Sequence, residues 1–468
     1  MKNLLVDEVL PQMALAMDTD SMRAVFQRKL FGMGSQPNGE KSETSRFEIE
    51  ACAIDRVKYK PGKNCLVLYR LGIRDRQTRS LREQTLCTRI YEPGGAHLRF
   101  LKAQSQRLVT PELGKPLMHI PEIDMVVWTF PNERKLQALP EIADLAFLRW
   151  QIVPELVARN FGANWMVEDV SHEIVHYVPE HTCTIRLDVQ LHDTVFGNRR
   201  KVAIFGKTYY NEEGEATYHL MQQLWQSASR RNKQFLMAQP LGYSSELKTL
   251  WQLGLPGRTL QECDLGHTRA LRPIALAGIT LAKLHTISLN PTQTVQLAHL
   301  QERLEEMKRL LAQVRPGCSE ILFKVTAQLQ RRAKQLETQP LATLHGDLHL
   351  KNFLIDADQV ALIDLDNVCT GPPAFDIGSF AATIQYLGLL HRRPRHWSEN
   401  IIRVFRHYYQ HNVPWQIRES DFNWYVAAAL IHERAFRCLT RLKAGRLEIV
   451  EALLQLAYET LSNRSRGI

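Results

Sequence analysis

The chemistry-bearing residues of this chain are densest between Leu344 and Asn367. The run Leu344-His345-Gly346-Asp347-Leu348-His349-Leu350-Lys351-Asn352-Phe353-Leu354-Ile355 is followed by Ala361-Leu362-Ile363-Asp364-Leu365-Asp366-Asn367. Two apolar half-strands thus flank a loop of His, Asp and Asn side chains, which a buried strand does not need. The combination suits phosphoryl transfer. A carboxylate must orient the acceptor hydroxyl and accept its proton, and hard oxygen ligands must hold Mg²⁺ against a triphosphate. Asp347 suits the first task. The amide of Asn352, five residues on, can turn back to a metal, and Asp364 at a strand end can bridge that metal to the β- and γ-phosphates. A protein kinase uses the same parts.

HGDLHLKNFLI followed by LIDLDN resembles the aminoglycoside phosphotransferase and choline kinase superfamily, small-molecule kinases with a protein-kinase-like fold. The resemblance implies ATP and Mg²⁺ as cofactors. It makes Asp347 the base and Asn352 and Asp364 the metal ligands. His345 would orient the loop, and Asp376, in Asp376-Ile377-Gly378, would brace it. His349 is divided between substrate contact and loop packing, and Asp366 between metal and acceptor. Leu281-Ala282-Lys283-Leu284-His285 resembles the first long helix of the family's C-terminal lobe. In Val202-Ala203-Ile204-Phe205-Gly206-Lys207-Thr208-Tyr209, Lys207 would clamp the phosphates, with Glu215 as its expected helical partner. The loop Tyr177-Val178-Pro179-Glu180-His181-Thr182-Cys183 stands where kinases carry a glycine-rich loop, but it holds no glycine; its backbone amides and Thr182 would meet phosphate. Trp251-Gln252-Leu253-Gly254 would form the hinge beneath adenine, and Pro256-Gly257-Arg258-Thr259-Leu260 the entry to the helical lobe.

The implied activity is transfer of the γ-phosphate of ATP to a hydroxyl of a small molecule: a sugar, an aminoglycoside, a choline-like compound or another metabolite. The acceptor is expected between Asp347 and residues 373–468. A helix from Trp424 to Leu442 carries Glu433, Arg434 and Arg437 on one face, which fits either a salt-bridged surface or an acceptor pocket of mixed charge. The alternative function is a pseudokinase-like nucleotide-binding regulator or scaffold.

These residues need a frame. A helical lead-in at 8–32 precedes a polar link at 34–46. β-branched and aromatic runs at Val57–Ile73, Leu86–Tyr91 and Met125–Phe130 predict strands, and 141–162 a helix. Strands then recur from Val167, with a hairpin turn at Pro179, a strand Lys201–Tyr210 and a helix Glu215–Ser227. Shifting the chain by 118 residues places Val57, Tyr59, Pro61 and Cys65 on Val175, Tyr177, Pro179 and Cys183, and Arg89 on Lys207. Chance would give about half an identity over that stretch. The expected fold class is therefore α+β: a bilobal kinase-like fold, with a β-rich N-lobe and a mostly helical C-lobe, preceded by a degenerate duplicated N-lobe-like module. Its predicted parts are 1–46 lead-in and link, 47–140 degenerate module, 141–166 connector, 167–265 ATP-binding lobe and 266–468 helical catalytic lobe. The first module would shape the acceptor site, regulate closure or mediate a homodimer.

Composition is that of a globular chain: 468 residues, 44% hydrophobic and 23% charged. Eight cysteines form no CxxC pair, which predicts reduced thiols and a cytoplasmic protein. No apolar run is long enough to span a membrane. The formal net charge of +10 comes without a nucleic-acid motif, so neither nucleic acid nor membrane is an expected partner. A polycationic acceptor would favour an acidic cleft, which this charge does not encourage.

Overall fold

The computed structural model describes residues 7–32, 46–227, 235–266, 271–289, 291–443 and 445–462. The expected link at 34–46 lies outside these residues except for Arg46. Helices Met13–Ala16 and Thr19–Phe26 open the described chain. Three long strands follow: β1 (Phe47–Lys60), β2 (Asn64–Asp75) and β3 (Leu81–Tyr91). After a helix, Ala96–Gln104, come β4 (Leu117–Ile120) and β5 (Met125–Thr129), giving an antiparallel sheet ordered β1-β2-β3-β5-β4. Short helical segments lead through Val153–Phe161 to β6 (Trp165–Val178), β7 (Thr182–Asp193) and β8 (Arg199–Tyr209). The helix Glu213–Gln226 and strands β9 (Leu236–Met237), β10 (Pro240–Ser244) and β11 (Thr249–Leu253) follow. The second sheet is ordered β10-β11-β8-β7-β6.

Alternation is clearest in β7, where Cys183, Ile185, Leu187, Val189 and Leu191 are fully buried while Thr184, Arg186, Asp188, Gln190 and His192 are half-buried or exposed. The turns have matching physical causes. Asp75 accepts from the amides of Gln77 and Thr78, and Asp193 from those of Val195 and Phe196. Positive φ falls at Gly62 and Arg79 in the first sheet and at Glu180 and Gly197 in the second. The helix Ala96–Gln104 and the β10–β11 pair lie outside the strands and helices expected from sequence, because short elements carry little periodicity of their own.

Strands β12 (Arg258–Thr259), β13 (Ala342–Leu344), β14 (Phe353–Asp356), β15 (Gln359–Leu362) and β16 (Cys369–Gly371) lie within the remaining, mostly helical part. They form β12-β14-β15-β9 and β13-β16. The helix Ala374–Leu390 is buried on nearly every side and supports this region, its Phe380 ring stacked 3.8 Å from that of Phe405. The helix expected at Trp424–Leu442 runs instead as Glu419–Ala429, a π-helical stretch Leu430–Ala435 and a final helix Phe436–Thr440. One apolar cluster joins the lead-in (Leu10, Phe26), the first sheet (Val57, Tyr69) and the helical region (Leu322, Leu453). A second seam, with Leu136 and Cys183 at its centre, closes the first sheet on the second. The architecture is a mixed α/β fold. All eight cysteines are free thiols. Among the described residues no helix is long and apolar enough to cross a membrane.

Candidate active site

The loop after β13 is held by a buried carboxylate. Asp376, on the first turn of Ala374–Leu390, accepts from the amides of His345 at 2.6 Å and Gly346 at 3.0 Å. His285 Nε2 lies 3.1 Å from the same carboxylate, and its Nδ1 is 2.9 Å from the Tyr409 hydroxyl. Gly346 has φ +82°, and a Cβ there would run into the Asn367 carbonyl oxygen, so only glycine fits. His345 Nε2 is 3.0 Å from the Ile363 carbonyl, which ties the loop to the residue before Asp364. Asn352 donates to the Asp347 carbonyl at 2.9 Å and closes the turn. Asp347 therefore projects from a loop fixed at both ends.

Two charged sets face each other across this loop. On one side Asp347 pairs with Arg437 Nη2 at 3.0 Å, with His349 Nε2 at 4.0 Å from its other oxygen. Burial alone would raise the Asp347 carboxyl; Arg437 and then His349 outweigh it and hold its pKa down at about 2. Burial brings the His349 imidazole down to about 4, so it is neutral at pH 7. On the other side Lys207 Nζ lies 2.5 Å from Asp364 and 2.6 Å from Asp366, and the Tyr209 hydroxyl donates to Asp366 at 2.8 Å. Burial would lower the Lys207 ammonium, but Asp366 and Asp364 keep it well above its ordinary value. The two carboxylates share one ammonium. Burial raises Asp366, whereas Lys207 offsets burial at Asp364 and lowers it. Asp364 has φ +60°, a left-handed turn that brings its side chain back toward β8.

The donor set fits a hard cation bound together with phosphates. Asp364 and Asp366 offer carboxylate oxygens, and Asn352, whose nitrogen is engaged, keeps an oxygen that no donor among the described residues reaches. Among the described residues no group of three or more His, Cys, Asp or Glu side chains could hold a metal by itself. Mg²⁺ is ordinarily held by one or two carboxylates with substrate phosphates and water.

Glu215, Gln252 and Thr182, the expected nucleotide contacts, make no side-chain bond to Lys207, Asp364 or Asp366. Glu215 is exposed on the first turn of its helix, and Lys207 is paired with Asp364 and Asp366 instead. Gln252 sits inside β11, paired with Phe205 and Pro240, so the chain leaves the sheet only after Leu253. The turn before Thr182 faces the first sheet: Glu180 is held by Arg89 at 2.8 Å and by Arg134 at 2.6 Å, and its amide donates to Glu133 at 3.1 Å. The His181 amide is taken by the Val178 carbonyl. Thr182 is buried at the start of β7 and its hydroxyl makes no hydrogen bond to a described residue. The tip of the turn, where Glu180 holds φ +61°, is a docking point between the two sheets.

Sequence reasoning passed over Tyr209 and His285. Tyr209 lies two residues beyond Lys207 on the same face of β8, a spacing that could have found it. His285 gave no local signal, since its partners Asp376 and Tyr409 come from distant helices. The π-helical stretch Leu430–Ala435 precedes Arg437; Glu433 and Arg434 pair at 2.9 Å, and Glu433 also receives the Ser379 hydroxyl at 2.8 Å.

A family model described as "Phosphotransferase enzyme family" matches residues 199–447. None of the curated proteins compared matches the chain. Among solved structures, the apo form of a thermostable mutant of aminoglycoside phosphotransferase APH(4)-Ia is 14% identical, with 67% of this chain and 100% of that one covered at a TM-score of 0.45. A choline/ethanolamine kinase family protein from Mesorhizobium loti is 13% identical, covering 66% and 93%, with a TM-score of 0.41. Aminoglycoside phosphotransferase APH(3'')-Id from Streptomyces rimosus ATCC10970 is 16% identical, covering 58% and 94%, with a TM-score of 0.37.

Proposed function

We infer, since this chain belongs to the phosphotransferase enzyme family, that it moves the γ-phosphate of ATP to a hydroxyl of a small molecule. The observation that carries this reading is the pairing of Lys207 with Asp364 and Asp366, Asp364 lying in the field of His349, which is itself 4.0 Å from Asp347. Lys207 would clamp the phosphates. Asp364 and Asn352, with Asp366 beside them, would hold Mg²⁺, which when bound neutralises charge developing on the transferred phosphoryl group. Asp347 orients the acceptor hydroxyl. A carboxylate with a pKa of about 2 is a weak base, so it takes the proton only as the new P–O bond acidifies the hydroxyl, and positioning supplies most of the catalysis. Asp376 and His285 hold the loop that carries Asp347. The direct test is ADP release from ATP in the presence of hydroxyl metabolites: turnover that disappears in Asp347→Asn while ADP still binds supports the reading, and full turnover in that variant refutes it.

Residues 47–140 read best as a degenerate copy of the sheet at 167–265. In support, the three long strands of each sheet have 14, 12 and 11 residues, and the strand order is equivalent. Turn residues with positive φ recur at the same offset. At the position of Lys207 the first copy has Arg89, which binds the Glu180 carboxylate.

A further inference from the structure

We propose that the acceptor carries an anionic group, a phosphate or a carboxylate, received by a basic mouth that strand β1 and the segment after helix Phe436–Thr440 build together beside Asp347. The proposal names the substrate class for the phosphotransfer reading and rests on that reading. Helix Phe436–Thr440 packs against β1, so the element that brings Arg437 to Asp347 also brings the following residues to the first sheet. Arg441 lies in the field of Arg437, Arg56 and Arg446 and of the Asp347 carboxylate. Lys443 lies in the field of Arg446, Arg56 and Lys351 and of the Asp55 carboxylate. Arg56 and Lys351 also face His176, which in turn faces Lys207 and Asp364. The cations therefore run from the Asp347 side of the cleft to the phosphate side.

The nearby acids are already engaged. Asp347 is paired with Arg437, Glu433 with Arg434, Glu180 with Arg89 and Arg134, and Asp55 with Arg70, while Glu262, in the field of Lys351, accepts from the Thr259 amide and hydroxyl. Among the described residues Arg56, Lys58, Lys351, Arg441, Lys443 and Arg446 have no ion-pair partner. Arg437 and Arg56 press on Arg441, and the carboxylate that opposes them, Asp347, is already paired with Arg437. His349 is neutral at pH 7 and adds no charge. Like charges held together raise the energy of the empty mouth, and an anion relieves that strain. Arg441 and Lys351 are exposed, so a ligand can reach them. Arginine forks match phosphate and carboxylate geometry, and a polycationic acceptor would be repelled. Lys207 is taken by Asp364 and Asp366, so Arg441 and Arg56, the cations nearest Arg437, are the ones open to an anion beside Asp347. The first sheet thereby supplies Arg56 and Lys58 to a site whose reacting groups lie in the helical part.

The experiment follows ADP release by the full chain with ATP and Mg²⁺, using hydroxyl metabolites sorted into phosphate esters, carboxylates, neutral polyols and amines. An anionic compound is expected to be the best acceptor, with kcat/KM at least 100-fold above its neutral counterpart; the phosphate and carboxylate arms decide which anion is read. Arg56→Gln and Arg441→Gln should each raise the acceptor KM at least tenfold, with kcat changed far less. A neutral or amine acceptor ranking first, or an unmoved KM in both folded variants, overturns the proposal. Absence of ATP consumption with every class, despite ADP binding, refutes the phosphotransfer reading instead. Calorimetry with glucose 6-phosphate and gluconate against glucose then judges the mouth alone: binding of an anion lost in Arg441→Gln supports it, and no preference for the anions overturns it. Tighter binding of a single-stranded oligonucleotide than of either small anion also overturns it.

Discussion

At the scale of single residues, the candidate centre depends on charges that neutralise one another in pairs. Asp347→Asn keeps the shape of the loop but removes the acceptor for the hydroxyl proton, so kcat should fall by about 10³-fold while ADP affinity, read by calorimetry, persists. Lys207→Ala should chiefly raise the KM for ATP, and it leaves Asp364 and Asp366 facing each other without their shared cation. Beyond the centre, His432 is buried and its Nδ1 has no hydrogen-bond partner among the described residues. Burial, with Arg303, Arg434 and Arg437 against Glu433, brings its pKa down to about 4. Its unfolded value is near 6.5, so between these values the unfolded chain binds more protons than the folded one. Stability from this group is therefore complete above about pH 6.5 and is lost as the pH falls toward 4. The drop in melting temperature between pH 6.5 and 4.5 should be smaller in His432→Gln than in the parent, as calorimetry would show.

At the scale of elements, two devices hold the reactive loop and the sheets around it. Gly346→Ala forces a methyl into the Asn367 carbonyl oxygen at a positive φ, so it should displace the Asp347 loop and abolish turnover even in folded protein. The second device is the socket for Glu180. Arg89 and Glu180 are 12% and 9% exposed, so Arg89→Ala takes one of two arginines from a largely buried carboxylate and leaves Arg134 to hold it. The expected cost is on the order of 2 kcal/mol. The exposed pair Arg76–Glu48 should cost less than about 1 kcal/mol when broken. Urea titration of Arg89→Ala and Arg76→Ala would show the contrast, and equal midpoints would refute it.

At the scale of the molecule, one apolar cluster runs from the lead-in through the first sheet into the helical region. Removing residues 47–140 should therefore expose core surface and yield insoluble protein rather than a smaller active enzyme. The local motif was legible in the sequence: Asp347, Asn352 and Asp364 lie within eighteen residues of one another in a strand–loop–strand setting that short-range spacing specifies. The long strands were legible through β-branched and aromatic runs bounded by turn residues. Which charge meets which was not. Lys207 met Asp364 and Asp366 rather than Glu215, Glu180 turned to Arg89, and Arg437 reached Asp347 across 90 residues. Spacing along a chain determines which side chains share a face. Pairing between distant elements is settled only when their apolar faces pack, because packing fixes the angle at which each polar group enters the common cleft.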